Sequence, residues 1–244
     1  MQLIVYNVNR TIDKFSIMTE RTISDQQKLW DEQHATRGVQ YDRDLRFIPN
    51  QTAEVFNGLL PQSATILEVG AADGRDARFW ATQGHTVFAL DFSQVALDQM
   101  SEIAREQGVR DRVHPILWDV TAGTLPYVGE AQLDGFYARS ALHVDDTTMV
   151  TLAENITSAL KPNGVILIEG KGPNDKKISR STQLDGNLAI DPEENNHLRR
   201  IWTQTFVEEV SDRNGWNIEQ LDDIGEVWEG VPASFMRFVA RKSI

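Results

Sequence analysis

Apolar positions along the chain follow two rhythms, and from about residue 60 onward these alternate. Ala53, Phe56, Leu59 and Leu60 share one helical face, with Asn50 as a good N-cap and Pro61 as a stop, so the pattern predicts a helix from Asn50 to Leu60. TILEVG at 65–70 is a short, nearly continuous apolar run of the kind shown by a strand covered on both faces. DARFWATQG then reads as helix and HTVFALD at 85–91 as a second strand. Ser93 caps a helix carrying Val95, Met100, Ile103 and Ala104, and Gly108 closes it. RVHPILWD at 112–119 reads as the third strand; Pro115 lacks a ladder donor and points to an edge or a bulge. LDGFYAR at 133–139 is the fourth. A helix with Met149, Leu152, Ala153, Ile156 and Leu160 on one stripe follows, then the turn KPNG and the strand VILIEG at 165–170.

The alternation stops at Gly170. Residues 171–203 are polar, show no period and read as a long loop or small insertion beside a site. Thr205 and Glu208 are spaced as a capping box for a helix ending at Gly215, and WNIEQLDDI and FMRFVARK read as a closing hairpin. Upstream, Ser24 and Gln27 are spaced as another capping box and Gly38 as a stop, around a helix that holds Trp30. Five strand–helix units followed by a hairpin predict an α/β, doubly wound, mostly parallel sheet of seven strands, with helices on both faces and one antiparallel strand at the end.

Charge and composition narrow the chemistry. The 244 residues carry 24 basic and 36 acidic side chains, a net charge of -12, with no long basic run. This disfavours a phosphate backbone or an anionic membrane surface as partner. Zero cysteines remove disulfides, thiolate nucleophiles and Cys-ligated metals, and suit a reducing, cytoplasmic setting. Apolar runs such as Val165–Ile168 are far shorter than the roughly 20 residues that span a bilayer. MQLIVYNVNRTIDKFSI at the start has no sustained apolar core and no small-residue cleavage site, so no leader is expected. His34, His85, His114, His143 and His197 include no H-x-x-x-H pair, so zinc is not suggested. Asp145, Asp146, Asn174 and Asp175 supply ligand types for magnesium, but helix-cap and turn contexts account for them, and no metal is expected.

In doubly wound sheets ligands sit beyond the carboxyl ends of the strands, which directs attention to Glu68-Val69-Gly70-Ala71-Ala72-Asp73-Gly74-Arg75. Small residues at Gly70, Ala72 and Gly74 permit a tight turn and close approach of a ligand, and the helix beginning there offers unpaired N–H groups. A nicotinamide-dinucleotide fingerprint needs a third glycine where Arg75 stands. The 70, 72, 74 spacing instead resembles the E/D-x-G-x-G-x-G loop of class I S-adenosylmethionine-dependent methyltransferases, with Ala72 replacing the middle glycine. GAADGRDARFW and WDEQHATRG are similar to the tellurite-resistance and thiopurine methyltransferase branch, whose small-molecule enzymes use no metal. The resemblance runs over about residues 60–170 and implies a Rossmann-like fold with S-adenosyl-L-methionine as cofactor. It implies a role for Glu68 and the glycine loop in cofactor binding. It also implies that Asp91 accepts from both ribose hydroxyls, Phe92 packs on the adenine, Asp119 accepts from the adenine amino group, Val120 donates its N–H, and Arg139 lies near the methionine moiety. Residues 1–60 would be an arm and lid helices, with Trp30, Tyr41 and Arg46 over the cofactor, and 61–244 the methyltransferase domain with its substrate-side insertion at about 171–203.

Methyl transfer is an in-line displacement from an activated sulfonium, so alignment matters most, and a base helps only where the acceptor must lose a proton. His143 is the candidate general base, packing and helix capping being the alternative role. Asp145 and Asp146 read as caps of the helix that follows. Glu169 could accept from a ligand or pair with Lys171 or Arg139, and His197-Leu198-Arg199-Arg200-Ile201-Trp202 could hold an anionic substrate. The expected function is methyl transfer to a small-molecule acceptor. The alternatives are a noncatalytic cofactor-binding subunit, or an enzyme acting on protein or RNA; nothing in the sequence specifies an oligomeric state.

Overall fold

The computed structural model describes residues 27–28, 30–36, 47–122, 124–126, 129–194, 196–228 and 231–244. Ser24, Gly38, Tyr41 and Arg46 lie outside them. Residues 30–36 are helical, followed by α1 (Gln51–Leu59), β1 (Thr65–Val69), α2 (Arg75–Thr82), β2 (Thr86–Asp91), α3 (Gln94–Glu106), β3 (Val113–Leu117), β4 (Leu133–Arg139), α4 (Asp146–Ala159) and β5 (Leu160–Lys171). Then come α5 (Lys176–Arg180), β6 (Thr182–Leu184), β7 (Leu188–Asp191), β8 (His197–Arg200), α6 (Gln204–Asn214), β9 (Trp216–Trp228) and β10 (Val231–Lys242).

Seven strands form the main sheet in the order β3-β2-β1-β4-β5-β10-β9. The pairs from β3 to β5 are parallel, and β10 is antiparallel to both β5 and β9. Order therefore reverses between β1 and β4, which opens a crevice above their carboxyl ends. Pro115 sits in β3, at the edge of the sheet, where a missing N–H costs no ladder bond.

Period-two alternation sends neighbouring residues to opposite cores. Ile66, Val165 and Leu167 pack with Phe56, Trp80, Leu97 and Met100 on the face covered by α1, α2 and α3. Leu67, Ile166 and Ile168 pack with Met149, Leu152, Ile156 and Phe206 on the face covered by α4 and α6. Each fully buried Ile or Leu contributes about 1.5–3 kcal/mol, so the near-continuous apolar strands are what a sheet covered on both faces requires.

Local caps match the sequence in three helices: Asn50 accepts from Thr52 N, Ser93 from Ala96 N and Asp145 from Thr148 N. Three readings are corrected. Thr203, and not Thr205, caps α6 by accepting from Phe206 N, because the chain is still extended at Thr203 after the buried Trp202. KPNG does not separate helix from strand: β5 begins at Leu160 and carries Asn163 at φ 64 as an irregularity within it. Of the two readings of residues 171–203, the loop is corrected and the small insertion fits: they hold α5 and a second sheet, β6-β7-β8. Its strands of three or four residues are too short for a period to show, and its interior includes the charged Asp191 and Arg200. No helix among the described residues is long and apolar enough to cross a membrane.

Candidate functional site

The loop joining β1 to α2 puts three residues in the left-handed region, Gly70 (φ 75), Ala72 (φ 50) and Gly74 (φ 75). Gly70 and Ala71 both donate to the Leu90 carbonyl, at 2.8 and 3.1 Å, binding the loop to the end of β2. A Cβ on Gly70 would stand 2.2 Å from the Ala141 Cβ, so its absence lets the loop after β4 close against this one. Ala72 tolerates an unfavourable conformation because its N–H donates to Asp91 Oδ2 at 2.9 Å.

Asp91 ends β2 almost buried, its other oxygen accepting from Ser93 N at 2.9 Å. Burial raises its carboxyl above the ordinary aspartate range, opposed by the amides of Ser93 and Ala72. The amides of Ser93 and Ala72 occupy two of its roughly four lone-pair positions, and the Phe92 amide also acts on the carboxylate.

Above these strand ends lies a solvent-connected cavity, the kind of concave site in which cofactors and substrates are held. Gly70, Ala72, Asp91, Phe92, Asp119, Val120 and His143 all line it. Glu68, Gly74 and Arg139 are not among its lining residues. Glu68 is buried below the loop, and burial together with Asp76, Asp91 and Asp73 pushes its carboxyl well above the usual range, Arg75 opposing. Gly74 starts α2 against Met100, which a Cβ would meet at 2.3 Å. Arg139 is taken up by Glu169, Nε to Oε1 2.6 Å, and lies over Phe235. Glu169 also accepts from Arg237 at 2.5 Å and Thr52 Oγ1 at 3.1 Å, and Lys171 pairs with Asp175 instead.

Asp119 accepts from the main chain and hydroxyl of Thr121, at 2.9 and 2.8 Å, which folds Val120–Ala122 into a short turn. The cavity also receives Trp30, His34, Trp118, Ser140, Ala141 and Leu198. Trp30 and His34 come from the N-terminal helical segment, fixed by Asp31 accepting from Ser93 Oγ at 2.6 Å and by Gln99 donating to the His34 carbonyl at 3.1 Å. Sequence reasoning had singled out Trp30 and the His197–Trp202 stretch that holds Leu198. Neither His34, although it lies within WDEQHATRG, nor Trp118 at the end of the third strand carries a local signal that places it in this cavity.

His143 lines the cavity from the segment after β4. Its Nδ1 accepts from Arg200 N at 3.2 Å, and its ring meets His197 edge-on at 5.3 Å. The imidazole pKa falls to about 3, through burial first and then the charge of Arg199; the Ser140 carbonyl opposes this and Arg200 adds to it. Asp145 caps α4 by accepting from Thr148 N at 2.7 Å, as the sequence suggested. Asp146 does not cap: it pairs with Arg200 at 2.7 Å and accepts from Asn187. Asp175 accepts from Lys171 and from Ser234 N. Among the described residues no cluster of three or more histidines or carboxylates is placed to hold a metal ion.

A family model described as a methyltransferase domain matches residues 66–164, the span from β1 into β5 that carries the loop, Asp91, Asp119 and His143. No curated protein matches the chain significantly. Among solved structures, the chain is similar to 1,6-didemethyltoxoflavin-N1-methyltransferase from Burkholderia thailandensis, with 18% identity, 92% of this chain and 90% of that one covered, and a TM-score of 0.67. It is similar to geranyl diphosphate C-methyltransferase from Streptomyces coelicolor at 15% identity, coverages of 78% and 79%, and a TM-score of 0.59. A TehB-like S-adenosylmethionine-dependent methyltransferase from Corynebacterium glutamicum matches at 19% identity, coverages of 87% and 98%, and a TM-score of 0.57. Residues 66–164 thus match a methyltransferase domain model, and the chain has the Rossmann-like fold of these S-adenosylmethionine-dependent methyltransferases.

Proposed function

We propose that the chain transfers a methyl group from S-adenosylmethionine to a small-molecule acceptor held at the His143 end of the cavity. One observation carries this reading: a single cavity runs from Asp91, Phe92, Asp119 and Val120 to Ser140, His143 and Leu198. One end has the acceptor carboxylate and flat apolar surface that an adenosine needs; the other is walled by residues from the insertion and the loop after β4. Asp91 would hold the ribose hydroxyls, Phe92 the adenine face, and Asp119 with the Val120 N–H the adenine edge. Arg139 is committed to Glu169, so the loop of Gly70 and Ala72 and the backbone of Ser140 and Ala141 are the groups left to receive the methionine moiety.

When bound, the cofactor supplies an activated methyl group on a sulfonium. The chain's part is to align the acceptor with that methyl and exclude water. Trp30 would present a ring to the positive sulfur, an attraction of about 0.5–2 kcal/mol, and the segment around it would serve as the lid. The two neighbours named for didemethyltoxoflavin and geranyl diphosphate act on small molecules, which supports the same class of acceptor here. The net charge of -12 opposes an RNA substrate. The G-R-D start of α2 supports a place near the tellurite-resistance and thiopurine branch, and the absence of cysteine supports a cytoplasmic setting. Calorimetric titration with S-adenosylmethionine and S-adenosylhomocysteine tests the reading. Binding of both with one-to-one stoichiometry is expected, and binding of neither overturns the proposal.

A further inference from the structure

Trp30 lines the cavity from the N-terminal helical segment. Three hydrogen bonds tie that segment to the end of β2 and to α3: Gln27 donates to the Phe92 carbonyl at 3.2 Å, Asp31 accepts from Ser93 Oγ at 2.6 Å, and Gln99 donates to the His34 carbonyl at 3.1 Å. These bonds fix the helix. They leave the direction of the Trp30 indole to the groups that pack on it.

His197, on β8 of the insertion, supplies part of that packing. Its ring lies 5.3 Å from the Trp30 ring at 82° between the planes, and 5.3 Å from the His143 ring at 90°. Perpendicular arrangements of this kind are the favoured ones for aromatic pairs. Both neighbours line the cavity, whereas His197 is buried and is not among the described lining residues. Its own place is set by the small sheet: it pairs with Asp191 in the ladder of β7 and β8, and its Nδ1 lies 3.9 Å from Glu194 Oε2. One ring on the small sheet thus packs against two rings that wall the cavity, one from the N-terminal helix and one from the loop after β4.

We infer, resting on the methyltransferase reading, that His197 is a positioning residue: its ring holds the Trp30 indole in place as a wall of the cofactor-binding cavity before the ligand arrives. A large side chain ordered in advance spares the ligand the entropy cost of ordering it on binding. His197 acts through Trp30, so the insertion contributes to cofactor affinity from behind the cavity wall.

The test is a double-mutant cycle on the full chain, read by titration calorimetry with S-adenosylhomocysteine well below the unfolding temperature of each variant. Trp30→Ala should weaken binding. His197→Ala should weaken it by about two- to tenfold, the worth of one aromatic pair, and the double variant should bind no more weakly than Trp30→Ala. His197→Phe keeps a ring at the contact and should bind as the wild type does, whereas His197→Gln keeps polar atoms without the ring and should bind weakly. The Phe and Gln variants carry the comparison if His197→Ala does not fold. A merely structural role for His197 would lower the unfolding temperature and leave the affinity of the folded protein unchanged. Unchanged affinity in His197→Ala or His197→Gln, additive losses in the double variant, or weak binding by His197→Phe overturns the inference. Those outcomes, with a wild type that binds, leave the methyltransferase reading standing; a wild type that binds neither S-adenosylhomocysteine nor S-adenosylmethionine overturns both.

Discussion

Arg200 donates its main-chain N–H to His143 Nδ1 at 3.2 Å, joining β8 of the insertion to the loop after β4 across 57 residues of sequence. The same residue reaches further with its side chain. Its guanidinium donates to the Val144 carbonyl at 2.8 Å and to Asp146 at 2.7 Å, and lies 4.0 Å over the ring of Phe206. Arg200 thus ties the small sheet to the loop after β4, whose His143 lines the cavity.

The two partners of this ion pair are unequal. Arg200 is fully enclosed, whereas the Asp146 side chain keeps 37% of its exposure. Asp146→Ala leaves a buried guanidinium short of its counter-charge and should cost about 3–5 kcal/mol. Arg200→Met leaves a carboxylate that water and Asn187 can still reach, and should cost less. Urea midpoints of the two variants give the comparison; a larger loss for Arg200→Met would contradict the assignment.

Acid stability should report the buried imidazole. The folded His143 has a pKa of about 3 against about 6.5 in an unfolded chain, so below about pH 6.5 the unfolded state binds the extra proton. Its contribution is complete above about pH 6.5 and declines as pH falls toward 3, by roughly a tenfold change in the folding constant per pH unit. His143→Gln should flatten this part of the stability curve, measured by denaturant unfolding at successive pH values.

Gly70→Ala places a methyl 2.2 Å from Ala141 Cβ at a φ of 75. Steric conflict and a left-handed non-glycine residue together should cost about 2–4 kcal/mol. Adding Ala141→Gly should restore part of this loss, the steric part, and leave about 1–2 kcal/mol for the backbone. Thermal unfolding of the single and double variants separates the two.

Asp91→Ala removes both the proposed ribose acceptor and the partner of Ala72 N and Ser93 N. S-adenosylhomocysteine should bind at least about tenfold more weakly, as expected for losing hydrogen bonds to a charged group. Titration calorimetry on folded variant protein provides the check, and unchanged affinity would place the ribose elsewhere.

Much of the frame was legible because its signals are local. The continuous apolar runs of β1 and β5, the caps at Asn50 and Ser93, and Pro115 in an edge strand each depend on a few adjacent residues and their backbone preferences. The glycine loop, Asp91 and Asp119 were legible because strand ends recur at regular intervals, and the doubly wound sheet brings those ends to one side. Thr205 misled because Thr203, two residues earlier, has the same capping hydroxyl; the helix starts at Gln204, so Thr203, still extended after the buried Trp202, is the cap. The insertion stayed hidden because its order comes from ion pairs and short ladders, including Arg180 with Asp191 and Arg200 with Asp146, not from a periodic apolar face.

By itself, then, the sequence determined the α/β order, the single antiparallel strand and the row of ligand-type residues at the strand ends. Tertiary structure alone decided which of them face one cavity. It turned Arg139 away to Glu169, placed Glu68 beneath the loop, and brought Trp30, His34 and Leu198 in from distant segments. It also gave His143 Nδ1 its donor, the Arg200 N–H. Hydrogen-bond partners and desolvation depend on groups brought close by folding, such as Arg200, and no spacing along the chain encodes them.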